Sequence, residues 1–181
     1  GSPSRPCWSI CRRQLAKVLI ELQGNLPERA GSIGRLLLEA GQAIQAVDYL
    51  LPALERRLRQ GRYVEGKELV ESIDRAISDD AVLSQDDQGI YLLSAARVFI
   101  SLGKPEVSEK FLLQIEAGSE DEIYLQKQIL QSEICDRKGY AEDSIEILEK
   151  LRETVERSGT SQIAQNFQNQ LGSGFSKLGR F

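Results

Sequence analysis

Cys7, Cys11 and Cys135 are the only thiols in a chain of 181 residues that contains neither histidine nor methionine. Without imidazole there is no Ser-His or Cys-His activation and no His-containing metal site, so the usual acid/base repertoire is missing. Cys7 and Cys11 stand four residues apart and share one face of a helix, yet a structural zinc would need two further ligands. Cys135 alone remains to supply them, and neither metal nor cofactor is expected. Carboxylates cluster at Asp79-Asp80, Glu120-Asp121-Glu122 and Glu142-Asp143. A catalytic pair needs two carboxyl groups in unlike environments within one cleft. These clusters fall at expected helix starts and loops, where the helix dipole favours negative charge. Gly172-Ser173-Gly174-Phe175-Ser176-Lys177 lacks the order of a phosphate loop and lies in a helical stretch, where Gly172 is expected to allow close helix packing. No catalytic residue is expected.

Basic side chains are the remaining chemistry. Arg56, Arg57, Arg59 and Arg62 form the densest group, with Arg12, Arg13 and Lys17 further upstream. Up to Arg62 there are ten basic and five acidic residues (+5), and beyond it 13 and 22 (−9), so the net −4 averages two unlike halves. The basic group reads either as a docking surface for an acidic partner or for another part of a parent protein, or as a solvated helix face. An overall acidic balance argues against nucleic acid as a partner.

These side chains must be positioned by helices. Leu, Ile, Val and Ala recur at three- and four-residue spacing throughout, with turn signals between, and strands have almost no candidates. The 41% hydrophobic and 28% charged content fits one soluble domain or a short repeat array. No apolar run approaches the roughly 20 residues that span a bilayer, so no membrane is expected. The start of the chain carries no secretory pattern, which points to an intracellular, cytoplasmic protein. Gly1-Ser2 reads as a cloning remnant, residues 1–5 as a leader, and residues 6–181 as a single domain, a fragment cut after Phe181.

An internal repeat runs through the helices. After Gly41, Gly61, Gly103 and Gly139 a small residue follows five positions later (Ala46, Gly66, Ser108, Ser144), and an aliphatic residue four beyond that (Leu50, Val70, Leu112, Leu148). A glycine can hold the left-handed backbone that ends one helix, the small residue lets the next helix approach, and the large one fills the space between them. Successive turns are 20, 42, 36 and, to Gly179, 40 residues apart. The short step makes the helix from about Ala43 to Gln60 serve two pairs, with a kink expected near Leu51 because Pro52 lacks an amide donor. The long step reflects a polar insertion between Ile77 and Gln88, in which Asp86 or Asp87 caps the following helix.

The pattern resembles the tetratricopeptide repeat, whose second half reads A-x3-F. Its first half, L-G-x2-Y, is similar to Ile33-Gly34 with Leu37 and to Leu171-Gly172 with Phe175. Ala96 and Ser132 hold the small position in the intervening pairs, followed by Phe99 and Cys135. The resemblance implies an all-α, right-handed superhelix of antiparallel helix pairs, eight to ten helices in all. It also implies that the first helix of each pair lines a concave groove that binds a peptide or protein ligand. The partner-binding positions would then be Arg35, Glu39, Arg97, Ser101, Glu133, Arg137, Asn166, Asn169, Ser173 and Lys177. Residues 12–77 also resemble the helical region that follows the ATPase module in bacterial STAND-class signalling ATPases, kinases and regulators, which implies upstream domains of the same polypeptide as partners. Trp8 would pack as an N-terminal cap or mark a contact patch left by such a domain. The function implied is a non-catalytic interaction scaffold or sensor segment. The alternative is a small-molecule effector domain, with a pocket lined by Tyr91, Phe99 and Phe111. Oligomeric state is not legible.

Overall fold

A computed structural model describes residues 5–23, 26–116 and 121–179, with the side chains of residues 5–9, 23 and 158 outside it. The readings placed on the side chains of Cys7 and Trp8, on Glu120, and on the chain's two ends therefore lie outside the described residues. Among the described residues there are nine α-helices and no strand. They are α1 (Arg5–Gln23), α2 (Ala30–Glu39), α3 (Ala43–Arg59), α4 (Tyr63–Ser78), α5 (Gln85–Ser101), α6 (Pro105–Leu112), α7 (Glu122–Arg137), α8 (Ala141–Ser158) and α9 (Ser161–Lys177), with a 3-10 turn at Pro27–Arg29. No helix among them is long and apolar enough to cross a membrane.

Gly41, Gly61, Gly103, Gly139 and Gly179 all have φ between 65° and 90°, the left-handed region that a side chain disfavours. Four of the turns carry the same two hydrogen bonds. Gly41 N–H donates to Leu38 O (3.0 Å) and Gln42 N–H to Leu37 O (2.9 Å), and the pairs Gly61/Arg62, Gly103/Lys104 and Gly139/Tyr140 repeat the arrangement. This is the Schellman closure, which satisfies helix-end carbonyls that otherwise have no partner. The small residues that follow are buried, with Ala46, Ser108 and Ser144 at 0% exposure. The aliphatic residues after them, Leu50, Val70, Leu112 and Leu148, are buried as well.

The 42-residue step has a different origin from the insertion expected there. Asp80 sits at φ 70°, with its N–H donating to Ile77 O and Ala81 N–H to Ala76 O. It makes the same turn with aspartate in place of glycine, so the step is two shorter ones. Aspartate tolerates the left-handed region better than most residues, which is why a glycine search misses it. The cap of α5 also differs from expectation: Ser84 Oγ accepts from Asp87 N–H (3.1 Å) and donates to Asp87 Oδ2 (2.6 Å). Asp87 is thus the reciprocal partner rather than the cap, in the manner of a capping box. At Pro52 the helix α3 runs on unbroken, and the proline is exposed, so the Asp48 carbonyl that lacks an amide partner lies on the helix's outer side.

The chain forms two compact units, Gly1–Gln88 and Gly89–Phe181. In the first, α1 packs on α2, α2 on α3 and α3 on α4, and α2 also reaches α4. Gly34 sets the approach of α2 to α3, because a Cβ there would lie 2.6 Å from Leu50 Cγ. In the second, α6 packs on α7, α7 on α8 and α8 on α9, and α7 also reaches α9. Leu125, Ile129, Leu148, Leu151, Val155, Ile163, Phe167 and Leu171 make its core. Close packing at the end of α9 comes from Gly174, whose Cβ would meet Ile145 Cγ1 at 3.0 Å; at Gly172, where it was expected, nothing lies within reach.

Candidate functional site

The second unit holds one polar constellation that its repeat pattern does not explain. Three residues before Gly41, Gly61, Gly103 and Gly139 stand Leu38, Leu58, Ile100 and Asp136. Leu38 and Ile100 are buried, and so is Asp136, whose side chain is 2% exposed. A carboxylate therefore occupies a position that is aliphatic in the turns at Gly41, Gly61 and Gly103. It also lies in the last turn of α7, where the helix dipole opposes negative charge.

What offsets that cost comes from α9. Asp136 Oδ2 accepts from Gln170 Nε2 (3.1 Å) and Ser173 Oγ (3.2 Å) and pairs with Lys177 Nζ (3.1 Å). These donors recur at helical spacing along α9, so one face of that helix converges on a single oxygen. Asp136 Oδ1 is equally buried and has no partner. A buried carboxylate oxygen without a donor is expensive, because it gives up hydration for nothing.

The expected partner-binding residues divide into several groups. In the second unit, Ser173 and Lys177 meet at Asp136. Arg97 Nη2 on α5 donates to Gln126 Oε1 on α7 (3.0 Å), and Gln126 Nε2 to Glu122 (3.2 Å). Glu133 and Arg137 pair with each other one turn apart, at 2.9 Å. Asn166 accepts from Gln162 Nε2 (3.1 Å), and Ser101 and Asn169 are exposed. In the first unit, Arg35 pairs with Glu68 of α4 (3.4 Å) and Glu39 with Arg12 of α1 (3.1 Å). Most of these charges are thus matched within the chain. Asp136, Gln126 and Gln170 were missed. The signal for Asp136 was the aligned position three before the glycine, where one acidic residue breaks an aliphatic series.

Glu109 of α6 and Lys138 at the end of α7 form a further link, Nζ to Oε2 at 2.7 Å. The hydrogen bond from Lys138 holds the Glu109 carboxyl below its ordinary range, and the same bond raises the lysine. Cys135 beside them is half-buried, and burial, seconded by Asp143, pushes its thiol up, away from the reactive thiolate. Cys11 is exposed. Among the described residues no group of three His, Cys, Asp or Glu side chains is placed to hold a metal ion.

Tyr91, Phe99 and Phe111, the expected lining of an effector pocket, pack on one another. Phe99 and Phe111 stack at 5.5 Å, and Tyr91 meets Phe111 edge-on at 6.3 Å.

Compared with family models, with curated proteins and with solved structures, the chain gives no match in any of the three.

Proposed function

We propose that this chain is a non-catalytic protein–protein interaction scaffold, built as a right-handed array of helix pairs similar to tetratricopeptide repeats, and a sensor or scaffold segment of a larger signalling protein. The observation that carries the reading is the way polar residues link alternate helices in the second unit. Arg97 on α5 reaches Gln126 on α7, and Ser173 and Lys177 on α9 reach Asp136 on α7. Alternate helices become neighbours when helix pairs stack side by side, and the side chains between them form one polar face. Contact of α2 with α4, and of α7 with α9, supports the same stacking. The reused turn supports it too, since a repeated turn sets a repeated angle between helices.

On this reading a peptide lies along α5, α7 and α9, with Arg97 and Arg137 meeting its carboxylates and Asn166 and Asn169 its backbone. Glu133 and Gln126 accept from the two arginines, and a ligand carboxylate would take their place. Panning a displayed random 12-mer library on the immobilised chain provides the ligand for the test. Selected peptides are expected to lose about tenfold or more in affinity on R97E/R137E, since charge reversal turns attraction into repulsion. Affinities unchanged by that double variant would sink this surface.

A further inference from the structure

The four-arginine cluster of α3 and the turn after it separates into two halves. Arg57 pairs with Glu65 at 2.9 Å, and Arg62 pairs with the same glutamate. That half is accounted for by the fold, because Glu65 ties the end of α3 to the start of α4. Arg56 and Arg59 are not accounted for. Arg56 has only Glu28 at 3.9 Å, and its Nε is buried with no partner. Arg59 is exposed and has no partner among the described residues.

Both arginines line one cavity of about 420 Å³, together with Pro27, Ala30, Pro52 and Gln60. That volume falls in the range of about 300–1,000 Å³ typical of ligand sites. Pro52, Arg56 and Arg59 recur on one face of α3, Gln60 caps its end, and Pro27 and Ala30 come from the 3-10 turn and the start of α2. The floor is apolar, and the three polar side chains of the lining, Arg56, Arg59 and Gln60, all carry N–H donors. Gln60 Oε1 already accepts from Arg57 (3.1 Å), which leaves its amide N–H groups for the cavity. Of the helix-end carbonyls, those of Arg56, Arg57 and Leu58 are taken by Gln60, Arg62 and Gly61 N–H. Glu28 and Glu55 are the acidic neighbours, and only Glu28 approaches, with a long, exposed contact.

We propose that this groove binds an acidic peptide segment, with a carboxylate held between Arg56, Arg59 and Gln60 and an adjacent aliphatic side chain on Pro27, Ala30 and Pro52. A guanidinium presents a planar fork that matches a carboxylate. Two arginines, one of them in a long contact with Glu28, are too few for a nucleic-acid backbone, and the Pro-Ala floor would give a free inorganic anion nothing to rest on. The groove is distinct from the polar face of the second unit and does not depend on it.

The test is fluorescence anisotropy on the full chain with a fluorescein-labelled peptide of alternating leucine and glutamate, and with its leucine–glutamine counterpart. The expected result is binding of the glutamate peptide alone, weakened about tenfold or more by R56Q/R59Q, as for arginine hot spots. Helical circular dichroism of that variant should match the parent. E28Q, which removes the competing carboxylate, should tighten binding, and all titrations use the R97E/R137E background so that the polar face of the second unit does not contribute. Equal binding of the glutamine peptide, an unchanged affinity of R56Q/R59Q, or displacement by inorganic phosphate at concentrations where acetate has no effect would each overturn the proposal. The last result would assign the groove to phosphate.

Discussion

The helix pairs that turn at Gly103 and Gly139 share one template and differ in what fills it. Both place a left-handed glycine, a buried serine five residues on and a buried leucine four further. Three residues before the glycine the first pair buries Ile100, and the second buries Asp136. The serines differ as well: Ser108 Oγ donates to Ala96 O at 2.9 Å, whereas Ser144 Oγ is buried without a partner. Backbone geometry therefore decides which positions are buried. Whether a buried position tolerates polarity depends on what the neighbouring helix offers it.

The largest effect should come from exchanging the two fillings. Ile100→Asp buries a carboxylate where the aligned residues of α7 are Leu130, Glu133 and an Arg137 already paired with Glu133, and should cost more than about 4 kcal/mol in urea unfolding. A cost near 1 kcal/mol would mean that Asp136 needs no donors either. Next comes Asp136→Ala, expected to cost about 2–3 kcal/mol through lost charge-assisted bonds and a small void. Asp136→Leu restores the residue type of the turns at Gly41, Gly61 and Gly103 and should recover most of that loss, as apolar replacement of buried ion pairs often does. If the leucine variant is as unstable as the alanine one, the carboxylate's bonds are indispensable.

The serines should separate by less. Ser108→Ala removes a satisfied hydroxyl and should cost about 1 kcal/mol, while Ser144→Ala removes an unsatisfied one and should be neutral or slightly stabilising. Equal costs would show that Ser144 finds a partner in solution. The smallest effect concerns the link from α6 to α7. Glu109 is held below its unfolded value, so its contribution is present at neutral pH and disappears as pH falls through the folded value, below about 4.5. The urea midpoint should drop between pH 6 and pH 3 by more in the parent than in E109Q. Identical drops would place the acid sensitivity elsewhere.

The helical class and five of the turns were legible because a left-handed backbone leaves glycine in the sequence. Gly41, Gly61, Gly103, Gly139 and Gly179 could be aligned by eye, and the buried small and large residues followed from their offsets. Asp80 escaped because its turn is made by a residue that also has an ordinary role at helix ends. Asp136 escaped because attention to apolar spacing passes over a polar residue at an apolar position, and nothing local announces that α9 will supply donors from 34 to 41 residues away. The arginine cluster was visible as charge, but Glu65 divides it by tertiary contact that composition does not reveal. Gly172 illustrates the reverse error, since a matching dipeptide was read as close packing that Gly174 performs two residues later.

The polar face of the second unit is tested most directly by an amide chemical-shift map of the 15N-labelled chain titrated with a library-selected peptide. Perturbations are expected to concentrate at Arg97, Ser101, Glu133, Arg137, Asn166, Asn169, Ser173 and Lys177, with the buried positions of α8 unmoved. Perturbations that gather elsewhere and spare α5, α7 and α9 would contradict it.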